Sequence, residues 1–232
     1  MKKLLIVLLI GISGSLQAQE INAFDESGNR HGTWSKNFEG SDQLRYEGQF
    51  DHGKEVGEFK YYQLIGKKSK LAATKQFNSN DNSAIVKFLS LNGNTISEGT
   101  MNGKNYIGEW RYYHKNSDLL MTLEHYNEKG NLDGKRSVYY DTGQIAEELN
   151  YHDGKLEGES KYYSLEGVVV KTYEYKNDQL HGMSKHYDGN GVIMIEGPYK
   201  LGKKSGIWTY YKNGEFLEEK DFTYRPKFKK KQ

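Results

Sequence analysis

The chain has 232 residues, of which 35% are hydrophobic and 28% charged, with 33 lysines and arginines against 31 acids. That balance is too polar for a membrane-embedded protein, and 19 tyrosines, 9 phenylalanines and 3 tryptophans are too many aromatics for a disordered one. There is no cysteine, which excludes disulfides, thiol catalysis and cysteine-ligated metals.

In chain order, Lys2 and Lys3 precede an apolar run from Leu4 to Ile12 and then small residues up to Ala18. The run is far short of the ~20 residues that span a bilayer. The pattern predicts a secretory signal peptide over residues 1–18, cleaved after Ala18, and a mature chain without a transmembrane segment. An exported protein, periplasmic or extracellular, is expected. Without Lys2 and Lys3 the basic residues number 31, equal to the acids, so the mature chain is neutral. Five of the basic residues lie in the tail "RPKFKKKQ" (225–232), which leaves the body at −5. A nucleic-acid binder carries its basic stripe on the folded body, so no nucleic-acid partner is expected.

From residue 24 onward the chain repeats itself. "GEWRYYHKN" (108–116) returns as "GIWTYYKNG" (206–214). The strings that lead into the Tyr-Tyr pair align as "YEGQFDHGKEVGEFKYY" (46–62), "SEGTMNGKNYIGEWRYY" (97–113), "EELNYHDGKLEGESKYY" (147–163) and "IEGPYKLGKKSGIWTYY" (195–211). The glycines that open the Tyr-Tyr segments are Gly32, Gly57, Gly108, Gly134, Gly158, Gly182 and Gly206, with Ala84 standing in the equivalent place of a worn copy over 77–93. Their spacings are 25, 27, 24, 26, 24, 24 and 24. Fixed-period self-similarity marks a repeat architecture. A single array of about eight repeats over 19–224 is expected, followed by the basic tail at 225–232. All three tryptophans, Trp34, Trp110 and Trp208, sit two residues after an opening glycine, and Phe59 takes the same place. A residue that recurs at one register is a packing position, whereas a catalytic residue is needed once.

Each period holds two short segments rich in Tyr, Val, Ile and Phe, separated by Asn92-Gly93, Asn102-Gly103, Asp153-Gly154 or Asn213-Gly214. Such pairs favour positive φ and tight hairpins. No helical period is present. The expected fold is all-β: an elongated, twisted antiparallel sheet of roughly sixteen strands built from tandem hairpins, about 80 Å long at ~4.8 Å per strand, held by neighbour contacts rather than by one central core. Strand alternation puts Trp208 and Tyr210 on one face and Tyr211 on the other. It also groups Ile145, Glu147, Leu149 and Tyr151. Tyr151, Tyr175 and Tyr199, spaced by 24, are expected to form a ladder. "EFLEEKDFTY" (215–224) reads as the last strand.

The string Tyr-Glu-Gly-x-Phe followed by Gly-Lys-x-x-Gly, clearest at 46–59, resembles a MORN repeat. The Tyr-Tyr segment and longer period resemble the MORN-variant repeats of bacterial proteins grouped with the YwqK-type antitoxin family. The resemblance covers nearly the whole mature chain. It implies an antiparallel-sheet scaffold that binds proteins and sometimes phospholipids, and the antitoxin label implies neutralising a partner toxin. An export signal departs from that last picture unless the toxin is also exported.

Catalytic constellations are missing from the sequence. The seven histidines, His31, His52, His114, His125, His152, His181 and His186, are scattered without a His-Glu-x-x-His, and several fall in water-facing turns. Glu147-Glu148 and Glu218-Glu219 point to opposite faces of a strand, so neither is an acid/base pair. "GNGVIM" (189–194) lacks the third glycine of a dinucleotide loop. The expectation is therefore no enzyme, no cofactor and no metal, but a secreted scaffold that binds a protein partner along its aromatic face. Trp34, Phe59, Trp110, Tyr112, Tyr162, Trp208 and Tyr210 are the candidate contacts, since rigid aromatic rows offer contact area at low entropy cost. Packing of those rows on the ribbon itself is the competing reading of each. The alternative function is a cell-surface glycan, cell-wall or lipid-binding module: "GIWTYYKNG" also resembles choline-binding cell-wall repeats, aromatic faces hold quaternary ammonium groups, and a polybasic tail attracts anionic lipid.

Overall fold

A computed structural model describes residues 20–223; the expected signal peptide and the basic tail lie outside them. Alternating apolar residues and turn dipeptides every dozen residues leave the chain little choice but strands. These are β1 (Gly32–Asn37), β2 (Leu44–Asp51), β3 (Lys54–Ile65), β4 (Lys68–Phe77), β5 (Ser83–Leu89), β6 (Thr95–Asn102), β7 (Asn105–Tyr113), β8 (Leu120–Tyr126), β9 (Gly134–Tyr139), β10 (Ile145–His152), β11 (Lys155–Leu156), β12 (Gly158–Tyr163), β13 (Val169–Lys176), β14 (Gln179–Tyr187), β15 (Ile193–Lys200), β16 (Lys203–Lys204), β17 (Ile207–Lys212) and β18 (Glu215–Asp221). Among the described residues no helix is long and apolar enough to cross a membrane.

The strands form one antiparallel meander in which each pairs with its sequence neighbours. The two-residue β11 and β16 are the starts of β12 and β17, since β10 pairs with both β11 and β12, and β15 with both β16 and β17. The eighteen segments therefore make sixteen rungs, as the period predicts. The sheet is not closed: among the described strands β1 pairs only with β2, and β18 only with β17.

Turn chemistry follows the sequence at two of the four expected pairs. Asp153 and Gly154 have φ of 46° and 85°, and Asn213 and Gly214 have 55° and 82°, the positive pair that a two-residue hairpin with the strand twist requires; at Asn92-Gly93 and Asn102-Gly103 only the glycine is left-handed. The seven opening glycines are likewise left-handed, with φ from 63° to 109°. Ala84 is absent from the left-handed residues, and the β4–β5 ladder around it runs from Ala73↔Phe88 to Phe77↔Ala84 without a shift. The worn repeat has lost the local kink as well as the glycine.

A second irregularity recurs where the Tyr-Tyr strand meets the next one. There the register skips one residue, so that two residues face one: Ala72, Ile96, Met121, Ala146, Val170, Met194 and Leu217 are the extra residues, and at the first junction, between β1 and β2, the charged Arg45 is. Such β-bulges break alternation. They correct the expected grouping around Ile145. Ile145 pairs with Tyr139 while Glu147 pairs with Val138, so the bulge at Ala146 puts Ile145 and Glu147 on opposite faces. Tyr210 and Tyr211, on the unbulged strand, do take opposite faces.

The core is a narrow band centred on one row, with Phe50, Ala73, Ala84 and Leu149 buried beside it. The position two residues after each opening glycine is wholly covered at Phe59, Val86, Trp110, Ser160, Ser184 and Trp208. Where this residue is large, the strand before it offers glycine: Gly48 beneath Phe59, Gly99 beneath Trp110, Gly197 beneath Trp208. Where it is serine, the bulk comes from the neighbouring strand instead, Tyr173 opposite both Ser160 and Ser184. Of the two remaining junctions, one has the half-buried Trp34 opposite Gly48; at the other Arg136 stands opposite Leu149 and its Nε lies 2.9 Å from Oε1 of Glu124. Side-chain volume is shared across each strand pair rather than fixed at either position.

Candidate functional site

The sheet has two unlike faces. One carries the rings. Trp110 stacks on Tyr106 with centroids 3.7 Å apart and planes 17° from parallel, and donates its indole N–H to Thr100 O at 2.9 Å. Trp208 repeats the indole bond, donating to Pro198 O at 3.0 Å, with the Tyr199 ring near-perpendicular to it at 5.0 Å between centroids and the Lys204 ammonium 3.8 Å from its ring centroid. Trp34 is half-buried between Phe24 and Phe50, with the Arg30 guanidinium 5.1 Å away. The expected ladder of Tyr151, Tyr175 and Tyr199 is replaced by a network centred on Tyr173, whose ring lies 5.8 Å from Tyr162, 6.3 Å from Tyr175 and 6.4 Å from Tyr199.

Of the seven candidate contacts, Phe59, Trp110 and Trp208 expose 1% or less of their surface. They hold the sheet face and offer nothing to a partner. Tyr112, Tyr162 and Tyr210 are half-buried beside them. Burial pushes the Tyr112 phenol up to about 12. The Tyr210 hydroxyl accepts from Lys204 at 3.4 Å.

The opposite face carries a ladder that alternation alone does not disclose. In four of the five Tyr-Tyr pairs the second tyrosine donates to a glutamate fifteen residues earlier: Tyr62 to Glu47 at 2.7 Å, Tyr113 to Glu98 at 2.6 Å, Tyr163 to Glu148 at 2.6 Å and Tyr211 to Glu196 at 2.8 Å; in the fifth, Tyr140 donates to Tyr163 O at 2.7 Å. Lysines complete it, Lys87 on Glu98 at 2.9 Å and Lys135 on Glu148 at 2.7 Å. Burial, then the glutamate, lifts Tyr62, Tyr113 and Tyr163 to about 12. The tyrosine hydrogen bond, with Lys87, holds the Glu98 carboxyl below its usual range. For Glu148 the Lys135 bond comes first and the tyrosine second. The rings are thereby fixed in place with one side open to water.

Beside this ladder run the bulge residues. Ile96, Met121, Met194 and Leu217 are 49%, 39%, 41% and 55% exposed, and every extra residue from Ala72 to Leu217 is apolar. A groove of ≈ 560 Å³ opens where Leu91, Ile96, Tyr113, His114 and Met121 converge. Its lining is mostly apolar, with a few convergent polar groups, as ligand grooves are. Sequence reading passed over these residues because their common place in the repeat shows only once the bulge is located. The signal available was their own spacing of 23 to 25 residues from Ile96 to Leu217.

Glu147 and Glu148 sit on opposite faces, opposite Tyr162 and Lys161 respectively. Glu218 and Glu219 divide the same way, opposite Tyr210 and Thr209. Neither doublet converges on a point. His114, His125 and His186 each find a partner within the sheet, at Tyr139 O, Lys135 O and the Tyr173 hydroxyl.

This geometry defines a class, the open β-sheet built of tandem hairpin repeats with one packed and one exposed face. Three of its repeats, residues 132–153, 156–177 and 180–201, match the family model described as MORN repeat variant. Each match spans the strand that follows an opening glycine and the strand after it. No curated protein matches the chain. Among solved structures, the crystal structure of TcdB2-TccC3-Cdc42 is similar over 82% of this chain at 12% identity, with a TM-score of 0.22. The chain spans 13% of the length of that one.

Proposed function

We propose that the protein is an exported, non-catalytic repeat scaffold, and that a protein partner docks on the apolar strip beside the tyrosine–glutamate ladder. The exposed strip carries this reading. Apolar side chains recur at seven consecutive bulges, four of them large and more than a third exposed, and Ile96 and Met121 share one groove; exposed apolar surface of this kind marks interaction sites. The adjoining tyrosines are pre-ordered by their hydrogen bonds, so their contact area costs little entropy on binding. MORN-type repeats are compatible with a binding scaffold. With the leader expected at residues 1–18, the partner is one met outside the cytosol. An antitoxin role by resemblance then requires an exported toxin.

The test is site-specific photo-crosslinking from position 91, which lines the same groove, in the protein expressed in its own cells, with the exchange Ile96→Asp/Met121→Asp as the perturbation. One stoichiometric protein adduct, lost in the double variant at unchanged circular dichroism, is expected. A toxin in that adduct would extend the reading to neutralisation. Adducts with wall glycan or lipid alone, or a protein adduct indifferent to both aspartates, would overturn it.

A further inference from the structure

We propose that His31, Asp51 and His52 form a binding site for a divalent transition-metal ion of the zinc class. The three belong to different segments. His31 precedes the glycine that opens β1, Asp51 ends β2, and His52 begins the turn into β3 at φ 47°. Strand pairing brings them together, because Gly32 pairs with Phe50 and the turn is tied back by Gly53 N–H to Arg30 O at 2.8 Å. The His31 amide is anchored on Ala23 O at 3.0 Å; the His52 amide N–H donates to the His31 Nδ1 lone pair at 3.4 Å, a bond that an ion on that nitrogen replaces. Both imidazoles are thus carried on clamped backbone.

Their donor atoms have the spacing of a coordination shell. His31 Nδ1 lies 3.6 Å and His52 Nδ1 3.4 Å from the same carboxylate oxygen, Asp51 Oδ1. One donor from each residue lies within 4.8 Å of the other two, and among the described residues no other group of three His, Asp or Glu meets that limit. Nitrogen and oxygen ligands stand ~2.0–2.2 Å from zinc, which sets the edge of the tetrahedron at ~3.3–3.6 Å. Two imidazoles and one carboxylate suit zinc and its first-row neighbours, whereas calcium and magnesium require shells of oxygen. Three protein ligands leave one position for water. A fourth group, the acidic Asp25, holds Oδ2 3.9 Å from His52 Nδ1, on a loop fixed by the Ser27 and Asn29 amides.

An ordinary turn-to-turn ion pair is the competing explanation, and the array supplies its control. Four repeats further on, His152 lies 3.6 Å from Asp133 at the equivalent junction. No second imidazole joins it, since Asp133 stands where His31 does. The doubled histidine occurs at the array's open end, where β1 has one strand neighbour among the described strands. An ion there ties the first turn to the first strand.

The decisive experiment is calorimetric titration of the tag-free mature chain, residues 19–232, with zinc chloride, alongside visible absorption with cobalt(II). One saturating equivalent and tetrahedral cobalt bands are expected. His52→Gln and Asp51→Asn should each weaken binding by at least about tenfold, and His152→Gln should leave it unchanged. Circular dichroism confirms that each variant is folded, and Asp51→Asn decides the matter if His52→Gln is not. No saturable zinc binding, or equal binding in parent and ligand variants, overturns the proposal.

Discussion

Shared volume across a strand pair makes a demanding prediction. Trp110 lies wholly buried on Gly99, and a Cβ at that glycine would come within 2.5 Å of the indole, against ~3.5–4.0 Å for carbon atoms in contact. Three repeats later the same pair of positions is Tyr173 and Ser184. The exchange Gly99→Tyr/Trp110→Ser transplants that solution. Trp110→Ser alone leaves a ring-sized void and should cost ~3–5 kcal/mol. Gly99→Tyr alone has no room and should cost at least ~1–3 kcal/mol. In the double variant the ring enters from the other strand and fills the space. The remaining loss is the indole bond to Thr100 O, roughly 0.5–1.5 kcal/mol. A coupling of at least ~2.5 kcal/mol follows, at or above the upper end of ~3 kcal/mol for residues in contact. Urea unfolding by circular dichroism measures it. Because repeat arrays can unfold stepwise, exchange of the β6 and β7 amides should be read in parallel as the local measure. Single effects that simply add would refute the shared-volume account.

Three further outcomes follow from the same geometry. Ser184 Oγ is buried with no hydrogen-bond partner, so Ser184→Ala should be neutral or stabilising by up to ~1 kcal/mol; a lower melting temperature would show that the hydroxyl has a partner. Gly158 is left-handed at φ 85°, and a Cβ added there would meet nothing within 4 Å, so Gly158→Ala should cost only the backbone term, ~1–2 kcal/mol, in urea melts. The Tyr113–Glu98 bond should shape stability at both ends of the pH range. The Glu98 value is depressed on folding, so its contribution is present above the unfolded-state value near ~4.3 and lost as pH falls through the folded one. Tyr113 is raised to about 12, so its contribution is complete below the unfolded-state value near ~10 and lost as pH rises through the folded one. Denaturation of Tyr113→Phe against the parent should therefore show a gap that is widest at neutral pH and narrows at both extremes; a gap constant with pH would separate the bond from the titration.

Much of the fold was legible because repetition multiplies weak signals. One Asn-Gly suggests a turn, but eight junctions at nearly equal spacing fix a hairpin array, and a tryptophan recurring at one register declares itself structural. What escaped reading lies where a single residue changes the rule. The bulge at Ala146 separates Ile145 from Glu147, and no propensity marks it. Ser160 and Ser184 occupy the tryptophan register without resembling it, and only the bulk of Tyr173 on the facing strand discloses the substitution. The candidate contacts met the same limit. Aromatic identity located Phe59, Trp110 and Trp208 but could not tell a covered ring from an open one. His31 and His52 looked unrelated at a separation of twenty-one residues, because the link between them is the backbone bond from the turn to the strand opening before it.

The two faces also differ in what sequence change does to them. On the packed face a change at one position must be matched on the facing strand, which is why Gly/Trp, Tyr/Ser and Glu/Arg pairs coexist along one array. On the other face each bulge residue sits opposite no single partner, so its side chain can vary without unseating a neighbour. Ala72, Ile96, Met121, Ala146, Val170, Met194 and Leu217 differ in size and shape, while the tyrosines beside them keep their glutamates at four junctions. A rigid tyrosine frame bordered by freely variable apolar positions lets the exposed face change one repeat at a time, and the packed face carries the stability that such changes would otherwise erode.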